Sequence, residues 1–215
     1  GNGLSLLIFG GIIAGLPTQV SQLIYTFDPS QIPLYIGFIA IALFVIFAVV
    51  LITEAERAVP VTYAKRVRGM KVYGGVSTYL PLRVNQGGVI PIIFALSILL
   101  FPQMIFQFLT TVSNATIASV AGKGLALLAN GWFNAIAYFF LVFVFTYFYT
   151  AVTFEPESIA TNLQKNGAFI PGVRPGQSTT EYLSKIVTRI TLVGATFLGL
   201  IAVLPLVMQA TTGIT

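Results

Sequence analysis

The chain has 215 residues, of which 56% are hydrophobic and 8% charged, and its formal net charge is +5. Soluble domains carry about 25% charged residues, so a water-soluble globule is excluded and a bilayer is the solvent that accepts this composition. Cysteine and histidine are both absent from the sequence, which excludes disulfides, zinc sites, thiol nucleophiles and Ser-His dyads.

The first residue is Gly1 rather than Met, and no basic stretch follows it. The start does not read as a signal peptide, and a chain lacking its front is the simpler expectation. A spanning helix needs about 20 mostly apolar residues. Five stretches meet that need, at 4–24, 33–53, 88–108, 132–153 and 187–208. The expected fold is an all-α polytopic membrane bundle, a single membrane domain over 1–215, with a small β-hairpin in one loop.

The first span holds Gly10, Gly11, Gly15, Pro17, Gln19, Ser21 and Gln22. Gly11 and Gly15 make a small-xxx-small face, and the polar residues point to a place inside a bundle. The spans 33–53 and 132–153 are apolar on all faces, and Trp132, Tyr147 and Tyr149 suit membrane interfaces. The third span carries Pro91 and Pro102 and should be kinked or loosened.

Between the second and third spans lies the loop 54–87. In it Val59, Val61 and Tyr63 alternate with Ala58, Pro60 and Thr62, and a second extended run, STYLPLRV, follows Gly74-Gly75. The pattern predicts a protruding β-hairpin with a basic tip. In the loop 154–186, Pro156 sits where a first helical turn would begin, and the helix would run on to Gly167. FIPGVRPG then reads as a tight turn, and Ser178 with Glu181 as a capping box opening the last helix.

Ten of the eleven basic residues fall in or beside these two loops, and the loops 25–32 and 109–131 hold only Lys123. The positive-inside rule then puts 54–87 and 154–186 in the cytoplasm, the N-terminus on that side and the C-terminus outside. A basic, ordered loop pair is a docking surface in outline. The bland reading is that these charges only set topology or attract anionic lipid.

GNGLSLLIFGGIIAGLP, ERAVPVTYAKRV, STYLPLRVNQGGVIPIIFA with LLFP after it, FEPESIATNLQKNGAFIPGVRPG and TEYLSKIVTRITLVGA together resemble the SecY family. They fall in the order and spacing of its fifth to ninth transmembrane helices and cover essentially the whole chain. The resemblance implies half of a ten-helix, pseudo-symmetric, protein-conducting channel in the bacterial inner membrane. Such a channel passes unfolded preproteins across the membrane and releases hydrophobic helices through a lateral gate. The implied partners are SecE, SecG, the SecA motor, the ribosome with its RNA and protein, signal peptides and nascent chains, and membrane lipids. No cofactor and no metal are implied, and the energy comes from SecA or from ribosomal synthesis.

The resemblance also assigns residues. Leu4, Ile8 and Ile93 match the apolar ring at the pore constriction, where side chains hold back water and ions. Ser97 and Phe101 follow Ile93 at helical spacing and match the gate side of the seventh helix, while Asn2 and Asn85 match polar gate positions. Arg174 in PGVRPG matches a charge needed for engaging the translocation partner. Arg57, Lys65, Arg66, Arg68 and Lys71 match the other docking loop, although Ala58 stands where many relatives have a second basic residue. Read without the family, the apolar positions are ordinary lipid-facing or core residues and the polar ones local caps.

Two other classes remain to be weighed. A secondary transporter needs buried ionisable groups for coupling, and the spans offer none apart from Arg189 near the start of the last. An intramembrane enzyme of the paired-aspartate kind needs two aspartates, and Asp28 is the only one. No catalytic residue is assigned.

Overall fold

The architecture is taken from a computed structural model, which describes residues 3–212 except 26, 65, 69, 70, 74, 76 and 113. The chain divides into two compact units, Gly1–Phe47 and Ala48–Thr215.

The first unit holds α1 (Gly3–Ala14), α2 (Leu16–Tyr25), a one-turn 3-10 helix (Pro29–Gln31) and most of α3 (Ile32–Glu54). The continuous span expected over 4–24 is thus two helices that part at Gly15. Pro17 is the cause. It has no N–H to bond back toward residue 13, and its ring crowds that carbonyl. The Thr18 hydroxyl then donates to the Gly15 carbonyl at 2.7 Å. Before α3, the Asp28 carboxylate accepts the Ser30 N–H at 2.9 Å and caps the turn, and Phe27 stacks on Tyr35. No residue of α3 is buried, as suits a helix whose apolar surface meets lipid.

The second unit opens with β1 (Glu56–Tyr63), the short strands β2 (Arg66–Arg68) and β3 (Lys71–Tyr73), and β4 (Ser77–Arg83). After these come α4 (Ile90–Leu109), α5 (Ala115–Leu128), α6 (Gly131–Thr153), α7 (Pro156–Lys165), β5 (Ala168–Phe169) and α8 (Gln177–Thr212). Among the described residues, four helical stretches are long and apolar enough to cross a membrane: Pro29–Glu54, Ile90–Leu109, Gly131–Lys165 and Gln177–Gln209.

The expected hairpin exists, and it is part of something larger. β1 pairs antiparallel with β4, Val59 opposite Leu80, and also with β5 from the other loop, Tyr63 opposite Ala168. The sheet order is β4-β1-β5. Strand alternation sends Val59, Val61 and Leu82 to one buried face. The Val84 N–H donates to the Ala55 carbonyl, which by alternation makes Ala58–Pro81 a pair without ladder bonds. Pro81 therefore turns its missing donor outward, where it costs nothing. Continued past Thr62–Phe169, the β1–β5 register would bring Pro60 opposite Pro171. Neither can donate, so the third strand stops after two residues.

Among the described residues, two cores hold the unit. Val59, Val61, Leu82, Ala168, Ile170, Leu183, Ile186, Val187 and Ile190 form one, between the sheet and the first turns of α8. Ala95, Leu99, Tyr138, Val142 and Leu198 form the other, where α4, α6 and α8 meet. Pro91 does not kink α4, because it lies in the first turn, where a proline leaves no helical acceptor unpaired. Pro102 does lie inside the helix.

Candidate docking surface and channel-lining face

The turn around Arg174 is built by its neighbours. Pro171 and Pro175 fix φ, and Gly172 and Gly176 take φ of +83° and +100°, a region that favours glycine. The Val173 N–H donates to the Ile170 carbonyl at 3.1 Å, and Ile170 is sunk in the sheet core. On the other side the Thr179 hydroxyl donates to the Arg174 carbonyl at 2.9 Å, from a side chain only 3% exposed. Backbone is pinned on both sides while the Arg174 side chain stays exposed.

This overturns the capping box. Ser178 is already inside α8, which starts at Gln177. The Gly176 carbonyl accepts the N–H groups of Thr179 and Thr180. The useful signal was the second hydroxyl residue after the turn, Thr179, whose reach back over five residues no capping pattern describes.

Because β5 joins β1, the two basic loops share one body. Arg57 and Arg83 lie exposed on β1 and β4, in the same sheet that anchors the Arg174 turn. Beside it a polar cleft of about 710 Å³ is lined in part by Glu155, Glu157, Asn162, Lys165 and Thr180. Of the remaining loop charges, Lys65 lies outside the described residues. Arg66, Arg68 and Lys71 belong to β2 and β3, but their side chains also lie outside what is described.

On α4, Ile93, Ser97 and Phe101 share one exposed face, while Pro91, Ala95 and Leu99 are buried, the last two against α6 and α8. The Ser97 hydroxyl donates to the Ile93 carbonyl at 2.8 Å and is thereby satisfied within its own helix. Ile8 is exposed on α1 of the first unit, Leu4 lies on α1 with its side chain outside the described residues, and Asn2 is outside them altogether. Asn85 sits between β4 and α4. Its Oδ1 is buried without a hydrogen-bond partner among the described residues.

The segment carrying Asn85 is tightly seated. A β-carbon at Gly87 would touch the Tyr149 ring edge of α6 at 3.2 Å, and one at Gly194 of α8 would collide with the Val84 carbonyl. Sequence reading missed both glycines, since each is defined by a neighbour distant in the chain.

The SecY family model matches residues 1–215. The chain belongs to the SecY family. It is 45% identical over 209 residues to the protein translocase subunit SecY of Thermotoga maritima, an overlap that takes in 97% of this chain and 46% of that protein. It is 44% identical to the subunit of Mycobacterium tuberculosis strain H37Rv, over 95% of this chain and 46% of that one. For Lactococcus lactis subsp. cremoris the figures are 39%, 100% and 50%. The chain spans about half the length of the curated relatives it matches. Family and apolar helices together make it part of a multi-pass membrane protein.

Proposed function

We propose that this chain supplies one side of the pore and one side of the lateral gate of a Sec protein-conducting channel in a bacterial inner membrane. The observation that carries the reading is the family match along the whole of 1–215, at identities of 39% to 45% to proteins named protein translocase subunit SecY. In this reading α1 and α2 take the place of the family's fifth helix and α4 that of the seventh. Ile8, Ile93 and Leu4 contribute apolar side chains to a constriction that keeps water and ions out and yields around a passing chain. Ser97, Phe101, Asn85 and Asn2 lie along the gate.

The sheet with the Arg174 turn faces the cytoplasm, with the N-terminus, and docks SecA or the ribosome; the C-terminus is external. Excess Lys and Arg in the two loops supports that orientation. The pinned backbone of the Arg174 turn supports docking, because a preorganised charge loses less entropy on binding. Phosphate-rich ribosomal RNA would be met by Arg57, Lys65, Arg66, Arg68 and Lys71, with a salt-dependent affinity. The channel performs no bond chemistry of its own.

The test is co-purification. The chain, expressed with the remainder of a SecY-family protein and reconstituted, should recover SecE, SecG, and SecA or ribosomes. Substrate-coupled ion flux with none of these partners would reject the channel reading.

A further inference from the structure

α5 has a face that the packing of the protein leaves uncovered. The helix is tied at both ends to membrane-crossing helices: Thr110–Asn114 link it to the end of α4, and Ala129–Asn130 lead into α6. Each junction is capped. The Asn114 side chain accepts the Thr116 N–H at 3.0 Å, and the Asn130 side chain accepts those of Trp132 and Phe133. Gly124 lies against the Phe106 ring of α4, where a β-carbon would stand 3.0 Å from three ring atoms. Phe106 is one turn from the end of α4, so α5 is held beside the last turn of a spanning helix. That places it at the depth of the membrane surface opposite the sheet.

Around α5, Ala121 is buried and Gly124 packs on α4, whereas Val120 is 62% exposed, Leu127 55% and Ile117 41%. At about 100° per residue, Val120 and Leu127 nearly eclipse, Gly124 comes next on the packed side with Ile117 between it and Ala121, and on the other side Thr116 and then Lys123 follow Leu127. The opposite flank carries Ala115, Ala118, Gly122 and Ala126, with Ser119 between these and Lys123. One flank thus carries two large exposed apolar side chains with Thr116 and a cation at its rim, and the exposed Trp132 ring follows at the start of α6.

We propose that α5 is an interfacial helix that inserts the Val120 and Leu127 flank into the acyl boundary of the leaflet opposite the sheet. Lys123 meets the phosphates there, and Trp132 anchors the adjoining end of α6. A bilayer is the occupant because both tethers are membrane-crossing helices, which fix the depth of the flank, and because a cation and an exposed Trp ring adjoin its apolar side chains. Amphipathic helices bind membranes through this combination of apolar area and basic rim. The inference rests on membrane-protein membership alone and stands whether or not the channel reading does.

The experiment is depth measurement by spin labelling. The 215 residues hold no cysteine, so one introduced here reports alone once any elsewhere in the family-length protein is replaced. Val120→Cys, Leu127→Cys and, as a polar-side control, Ser119→Cys are labelled in that protein in vesicles of phosphatidylethanolamine and phosphatidylglycerol. Collision with oxygen is compared with collision with a water-soluble nickel chelate. The oxygen-to-nickel ratio should be several-fold higher at 120 and 127 than at 119. Labels at 120 and 127 closed to both reagents mean that protein covers the flank, and labels open to nickel mean that water does. Either result overturns the proposal.

Discussion

Gly194 of α8 lies against the backbone carbonyl of Val84, so closely that a β-carbon at position 194 would stand 2.6 Å from its oxygen. No side-chain rotation relieves such a contact, because the obstacle is backbone. The segment leading into α4 is therefore seated by the lack of a methyl group on α8.

Gly194→Ala should then force that segment or α8 aside. Overpacking of this kind costs about 1–3 kcal/mol. The thermal unfolding midpoint in detergent should fall. Gly37→Ala in α3, where a β-carbon meets nothing within 4 Å, is the contrast: helix propensity predicts a gain of about 0.5–1 kcal/mol, and its midpoint should hold or rise.

Thr179→Val keeps the shape of the side chain and removes the donor to the Arg174 carbonyl. Losing one such bond costs about 1 kcal/mol. Hydrogen exchange across 171–176 should quicken while that of α6 stays as it was. Thr179→Ser, which retains the hydroxyl, should restore most of the protection.

Reversing the charge of the turn tests docking rather than folding. Arg174→Glu in the complete channel should lower preprotein translocation while membrane insertion persists, as measured in vesicles. Its unfolding midpoint should match the parent, since the Arg174 side chain is exposed. Undiminished translocation would remove Arg174 from the docking role.

A constriction of the kind proposed would have an electrical signature. Ile8→Gly or Ile93→Ser in the complete channel should raise resting ion conductance across a planar bilayer. Leu99→Ser is the control, because Leu99 is buried against α6 and α8 rather than lining a passage. It should cost stability first. Unchanged resting conductance in the Ile8 and Ile93 variants would end the gasket assignment.

Acid should loosen the turn before α3. The Ser30 N–H, donating to the Asp28 carboxylate, holds its pKa below the ordinary 3.8. A depressed carboxylate contributes stability that is complete above the ordinary value and is lost as pH falls through the lowered one. Local exchange at 28–31 should rise below about pH 4, and Asp28→Ala should abolish that pH dependence.

What the sequence made legible were features written in neighbouring residues. The apolar run of α3, the alternation of Val59 and Val61, and Pro156 opening α7 each follow from local pattern. β5 did not show, because two residues carry no period and gain their strand only from Tyr63 and Thr62. The break at Gly15 was signalled by Pro17, but hydropathy summed over twenty residues passes over a single missing donor. Pro91 was read as a kink because its role depends on where α4 begins. In the candidate site, Arg174 and its flanking Pro and Gly residues were visible, whereas the support from Thr179 and the seating by Gly194 depend on tertiary approach.

α8 runs without interruption from the sheet core into the membrane core. Leu183, Ile186, Val187 and Ile190 belong to the first, and Leu198 to the second. Between Ile190 and Leu198 the rise is about 12 Å, with no proline before Pro205. The two basic loops are therefore not modular. A chimaera that exchanged 54–87 or 154–176 alone between relatives would leave half of a shared core behind. The unit that can be transplanted whole is both loops together with the first turns of α8, and the seam belongs after Ile190.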